Sequence, residues 1–354
     1  MKAVLLSDNA PDIGETVKSD SRSGAAPPLL EIRQLNTSFF TRKGVASVLE
    51  DLTLTIETGE IIGLVGESGS GKSVTGFSIV DLLKSPGKIV SGQILLEGRD
   101  ITHVSEKEKQ EIRGKHIAMI FQNPRASLNP VLSVGEQIRQ VLIHRQGMNK
   151  KQAQERSIEL LRTVHIPEPE RRLAAYPHQL SGGMAQRVMI AMAISCSPRL
   201  LIADEPTTGL DVTIEYQIIQ LLKEMRDLTG MSVIVITHDL NMAAEVCDRI
   251  LVMYAGRIVE EAPVEEFFSR PSHPYAVGLL ASRPHLQVER DIPVIPGNVP
   301  DLINRPAGCA FHPRCRWATP ICSNESPPLT EIAHRHLAAC HHVEEVARDL
   351  TAAH

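Results

Sequence analysis

The run Gly66-Glu67-Ser68-Gly69-Ser70-Gly71-Lys72-Ser73 meets the pattern G-x-x-x-x-G-K-[ST] at every fixed position. Residues 60–65 before it are mostly apolar and predict a buried strand, and residues 71–83 after it predict a helix. Three glycines allow a tight turn in which consecutive backbone N–H groups converge on an anion. The helix that follows turns its positive end toward the same anion. Lys72 is then placed to reach β- and γ-phosphates, and the Ser73 hydroxyl to bind Mg²⁺. An ordinary Gly/Ser turn accounts for neither the Lys-Ser pair nor the two flanks. The run predicts a nucleoside triphosphate site in an α/β fold.

The chain has 354 residues, enough for two domains or one large domain with appendages. It is 42% hydrophobic and 22% charged, as in soluble globular proteins, and its formal charge of −5 gives no footprint for nucleic acid. No apolar run approaches the roughly 18 residues of a membrane span. The apolar start at residues 1–6 breaks at Ser7-Asp8-Asn9, too early for a signal peptide. A cytosolic setting is expected, which argues against a disulfide framework for the six cysteines.

Residues 1–28 lack periodicity and read as a disordered tail. Strand patterns follow at 29–35 and 48–56, with Ser38-Phe39-Phe40-Thr41 expected as a loop between them. Aromatic residues are 3% of the chain, so Phe39 and Phe40 stand out. One of them is a candidate stacking platform for an adenine ring, the alternative being a core contact between strands. An apolar strand over 116–121 ends on Gln122, and helices are expected near 134–145 and 150–164. Ser181-Gly182-Gly183 opens another helix. Ser is an ordinary N-cap, but two glycines behind it suggest close approach to an anion. The apolar strand over 199–203 then runs into Asp204-Glu205. Asp204 suits Mg²⁺, and Glu205 suits the water that attacks a γ-phosphate. Thr208-Gly209-Leu210-Asp211 leads into a helix, and a last strand over 232–236 ends at His238.

In this order and at this spacing, the segments resemble the ATP-binding subunit of an ABC transporter. The matching motifs are Walker A at 66–73, the Q-loop at Gln122, the signature Leu180-Ser181-Gly182-Gly183-Met184 and Walker B ending at Asp204. Glu205, the D-loop 208–211 and the switch histidine His238 complete the set. Met184 in place of the usual Gln, with Phe121-Gln122-Asn123-Pro124, Ser127-Leu128-Asn129-Pro130 and Leu210-Asp211-Val212-Thr213, looks like the oligopeptide/dipeptide importer subfamily. The resemblance implies a P-loop (RecA-like) core with an antiparallel β subdomain and a helical subdomain at about 123–198, together spanning 29–262. A C-terminal extension over 263–354 follows. It implies ATP and Mg²⁺ held by Ser73, Gln122 and Asp204, with Glu205, His238 and Gln122 catalytic. It implies ATP contacts from Phe39 or Phe40, Gly66, Glu67, Ser68, Gly69, Ser70, Gly71, Lys72 and Ser73. Asp211 is a further expected ATP contact, and Ser181, Gly182 and Gly183 would touch ATP held by a second ABC ATPase subunit, which the Met184 variant suggests is a sister chain. Two membrane permeases and, indirectly, an extracytoplasmic substrate-binding protein complete the expected assembly, at the cytoplasmic face of the inner membrane. The expected cargo is a di- or oligopeptide, with a nickel chelate or glutathione as alternatives. A soluble ABC ATPase of translation or DNA repair fits less well, because the chain has one Walker A, one signature and no long heptad segment.

The extension carries Cys309, Cys315, Cys322 and Cys340, spaced C-x5-C-x6-C-x17-C. Four clustered thiols in a cytosolic chain suggest metal rather than disulfide. The short C-x₂₋₄-C pair usual in zinc sites is missing, and the irregular, loop-rich spacing is compatible with a [4Fe-4S] cluster on four thiolates. The subfamily resemblance points the same way. Zinc is the alternative, supported by nearby His312, His334, His336, His341 and His342.

Overall fold

The computed structural model describes residues 27–283 and 295–352, so almost all of the expected N-terminal tail lies outside the described residues. The chain divides into two compact units. Of the described residues, one comprises those up to Leu30, Thr55–Glu60 and Leu95–Val235; the other comprises Glu31–Leu54, Ile61–Ile94 and those from Ile236 on.

In the first unit, strands Ile117–Ile120 and Leu200–Asp204 pair in parallel, with Ile117 opposite Leu200 and Ile120 opposite Ala203. Every residue of Leu200–Asp204 is buried, which is why the strand reads as an unbroken apolar run rather than an alternating one. Helices Val134–Gln146, Lys150–Thr163 and Gly182–Ile194 pack on one another. Their ends are written in the sequence. Ser133 caps the first helix through Glu136 N–H and Gly147 closes it in the left-handed region, while Asn149 and Gln152 form a reciprocal capping box on the second. Both helices were expected at almost these bounds. Helix Val212–Thr229 packs on Gly182–Ile194 through its apolar face.

In the second unit the wholly buried strand Ile61–Val65 lies parallel to Arg249–Tyr254. Arg249–Tyr254 turns back antiparallel into Arg257–Pro263. The sheet continues into a hairpin of the extension, His336–Ala338 and Thr330–Ala333, with Glu260 opposite Ala338. This hairpin, and the helix Val343–Ala352 after it, were not foreseen from the sequence. Beneath the hairpin the fully buried Glu260 carboxylate accepts the N–H groups of Ser272 and His273 and lies 2.9 Å from His336 Nε2. A separate sheet sets Gly44–Ile56 beside Leu30–Thr41, which lies beside Gly87–Leu96. The first pair is joined by a two-residue turn, which only antiparallel strands allow.

Residues 38–41 are therefore not a loop. Strand Leu30–Thr41 runs through them, and its alternation separates the two phenylalanines. The Phe39 ring rests against Gly87, where an added Cβ would lie 2.8 Å from it. Phe40 is half exposed at 49% and is the one of the pair open to a ligand ring.

Candidate functional site

The phosphate loop leaves the buried strand Ile61–Val65 and enters helix Lys72–Ile79. Gly66 has φ +153°, and a Cβ there would stand 2.3 Å from the Met253 carbonyl oxygen. Gly69 and Gly71 also have positive φ, and Gly71 is the residue that caps the helix. The glycines thus serve both a backbone path closed to L side chains and a close approach to the neighbouring strand. The buried Lys72 ammonium donates to the carbonyls of Gly66, at 2.8 Å, and Glu67, at 2.9 Å, which centres a positive charge within the loop. The Ser70 carbonyl accepts Gly256 N–H at 2.7 Å, pinning the crown of the loop to the turn after Tyr254.

Glu67 carries contacts that sequence reading missed. Its N–H donates to Tyr275 Oη at 2.7 Å, and its carboxylate receives both terminal nitrogens of Arg314, at 2.7 and 3.0 Å. Hydrogen bonding to Glu67 raises the guanidinium further above its ordinary pKa. Pro313-Arg314-Cys315 is visible in the sequence, but a partner 247 residues away leaves no local signal. His238 follows strand Ser232–Thr237 and is exposed, and Asp239 after it caps helix Leu240–Val246.

In the first unit, Asp204 ends its strand buried, and Glu205 adopts φ +45°. That backbone is uncommon for a residue with a side chain and marks a site held by its surroundings. Gln122 Nε2 donates to Glu205 Oε2 at 2.6 Å, and Thr208 Oγ1 donates to the same oxygen at 2.9 Å. Gln122 and Glu205, 83 residues apart, are thus brought together at neighbouring strand ends. Ser181 caps its helix by accepting Met184 N–H, and Asp211 caps the next by accepting Ile214 N–H. The two glycines after Ser181 have a packing role besides the expected anionic one. A Cβ on Gly183 would lie 2.6 Å from Ile214, and one on Gly182 would lie 3.0 Å from Leu210.

Comparison with known proteins follows the same lines. Residues 49–208 match the ABC transporter family, and residues 259–322 match the oligopeptide/dipeptide transporter C-terminal region. The oligopeptide transport ATP-binding protein OppD of Salmonella typhimurium is 47% identical over 313 residues, which are 88% of this chain and 93% of its own length. A probable peptide ABC transporter ATP-binding protein, y4tR of Sinorhizobium fredii, is 48% identical over 321 residues, 90% of this chain and 96% of its own. The chain belongs to the oligopeptide ABC transporter ATP-binding protein family. Its cassette fold also matches a solved dimer of the ATP-binding cassette MJ0796 bound to ADP and Pi, with TM-score 0.61 and 30% identity. That match covers 66% of this chain and 98% of the other.

In this family member the four extension cysteines, Cys309, Cys315, Cys322 and Cys340, line one small cavity together with Phe311 and Trp317. All four are free thiols. Burial, with the charge each feels from its neighbours, raises Cys315 to about 11 and Cys340 to about 12. Among the described residues no group of three His, Cys, Asp or Glu side chains is drawn close enough to hold a metal ion. A zinc tetrahedron needs its sulfurs within about 4 Å of one another. His312, His341 and His342 also line this cavity, each with one ring nitrogen in a hydrogen bond, whereas His336 is engaged with Glu260. Neither the expected [4Fe-4S] cluster nor its zinc alternative finds an assembled metal-binding group among the described residues. Cys196 and Cys247 lie elsewhere, and burial pushes both thiols up; Cys247 is the small core residue expected, whereas Cys196 is only partly buried.

Proposed function

We propose that this chain is the ATP-binding and ATP-hydrolysing subunit of an ABC importer that energises uptake of di- and oligopeptides. The observation that carries the hydrolytic part is the Glu205 carboxylate, held by Gln122 and Thr208 at the end of a buried strand. It is a fixed base of the kind that orients and polarises an attacking water. Peptide as cargo is supported by the names of the relatives and by the match of the extension. Among the described residues no helix is long and apolar enough to cross a membrane, in keeping with a subunit that works through permease partners.

The loop amides and Lys72 bind the β- and γ-phosphates, and Phe40 offers its exposed ring to the adenine. Asp204 and Ser73, an acidic and a hydroxyl oxygen donor, fit Mg²⁺, which prefers such ligands and neutralises charge on the transferred phosphoryl group. Gln122 reports nucleotide occupancy to the helical segment, and His238 orients the γ-phosphate and the water. Asp211 is a further nucleotide contact, and Ser181, Gly182 and Gly183 touch ATP bound by a second, sister ATPase subunit. Two permeases and an extracytoplasmic binding protein complete the importer at the cytoplasmic face of the inner membrane. The assignment is tested by Glu205→Gln, which should retain ATP binding while turnover falls about 10²–10⁴-fold; wild-type turnover would overturn it. The cargo is tested by purifying the membrane complex and identifying what its receptor binds.

The four extension cysteines fit a [4Fe-4S] cluster. What supports it is that four free thiols, Cys322 buried and the other three partly so, line one cavity, and four thiolates are the usual ligand set of such a cluster. Bound there, the cluster would staple the loops around Cys309, Cys315, Cys322 and Cys340. Anaerobic purification should give brown protein with iron and sulfide, and a colourless protein with stoichiometric zinc would overturn this part.

A further inference from the structure

Glu67 sits inside an anion-binding loop, where an uncompensated carboxylate would repel the phosphates the loop exists to hold. The chain does not leave it uncompensated. Both carboxylate oxygens are taken by the Arg314 fork, whose side chain is only 5% exposed. The fork is itself fixed: Nε donates to the Pro296 carbonyl at 2.7 Å, and the guanidinium lies over the edge of an aromatic shelf made by Tyr254 and Phe311. Tyr275 joins the same shelf, its ring 4.6 Å from Tyr254 and 5.4 Å from Phe311, and its hydroxyl accepts the Glu67 N–H. Meanwhile the Glu67 carbonyl accepts Lys72 Nζ. One loop residue is thus held at its amide by Tyr275, at its carbonyl by Lys72 and at its side chain by Arg314.

The geometry points to Arg314 and Tyr275 as positioning residues for nucleotide binding: an extension-borne clamp that neutralises Glu67 and orients its peptide, so that the extension completes the phosphate loop. The backbone around Arg314 has its own frame. Cys309 O accepts His312 N–H and Phe311 O accepts Arg314 N–H, so the turn that presents the fork runs between two of the cavity cysteines. The clamp rests on the reading that residues 66–73 bind ATP.

The test is equilibrium binding of a fluorescent ATP analogue to the full chain, with thermal unfolding measured alongside. Arg314→Met should weaken binding roughly tenfold, because it strands an acid beside the phosphates. The double variant Glu67→Gln/Arg314→Met should return to within about threefold of wild type, because the repelling charge has gone. A purely structural tether would leave the double variant as weak as Arg314→Met, and that result, or wild-type affinity in Arg314→Met itself, overturns the clamp. If Arg314→Met yields no folded chain, two milder variants decide. Arg314→Lys keeps the charge but loses the fork, and Tyr275→Phe keeps the ring but loses the acceptor; each should weaken binding about threefold. Wild-type affinity in both would overturn the proposal. Absence of binding by the unaltered chain would remove the ATP reading and the clamp with it, whereas normal binding there with unaffected variants would remove the clamp alone.

Discussion

The phosphate loop and the four-cysteine cavity lie in the same unit and are built by opposite means. The loop is made of backbone: eight consecutive residues, three glycines with positive φ and a helix start. The cavity is made of side chains from separate segments: His273 and Pro274 at a helix start, and a turn, two short helical segments and the loop after a hairpin between residues 309 and 342. A backbone site is shaped whether or not its ligand is bound, because covalent geometry and sterics shape it. A thiol site depends instead on where side chains from separate segments come to rest. The structure shows the first as a cradle of backbone groups and the second as four thiols lining one small cavity.

That contrast can be broken most directly at Gly66. Gly66→Ala should abolish ATP binding and lower the melting temperature, since its Cβ would overlap the Met253 carbonyl, whereas Gly69→Ala meets open space. Gly69→Ala carries only the left-handed cost of about 1–2 kcal/mol and should keep measurable binding. Equal behaviour of the two in a binding assay would mean that packing does not shape the loop. The cavity is expected to respond differently. Cys315→Ser should lose iron and colour while ATP affinity falls by no more than about threefold, because Arg314 keeps most of its other contacts. Loss of ATP binding on the scale of Gly66→Ala would instead make the cavity a full part of the loop. The smallest effect belongs to a helix start. Ser181→Ala should cost about 1 kcal/mol in denaturant unfolding through the lost cap to Met184. A further loss of turnover only in the assembled complex would show that Ser181 also meets a partner's ATP.

The same division explains what could be read from the chain. The glycine loop, the strand just before Gln122, the buried strand ending at Asp204, and the capped helices at 134–146 and 150–163 were legible because each is a local pattern. Gln122 and Glu205 were each singled out, but the hydrogen bond between them was not anticipated. Phe39 and Phe40 misled because a polar setting looks like a loop, although strand Leu30–Thr41 simply alternates through them. Gly182 and Gly183 were assigned to anion approach alone, and contacts with Leu210 and Ile214 from the following helix region were invisible. Arg314 and Glu67 were both in view, but no periodicity links residues 247 apart.

The late hairpin has one more consequence. Without it, Arg257–Pro263 would be the last strand of its sheet, offering unpaired N–H and C=O groups to any extended chain it met. His336–Ala338 occupies that position, and the border passes to Thr330–Ala333, four exposed residues that include Glu331. A short, charged border is a poor template for another strand. The extension therefore guards the cassette against self-association, and a chain cut before residue 330 is expected to aggregate even with every nucleotide-binding residue in place.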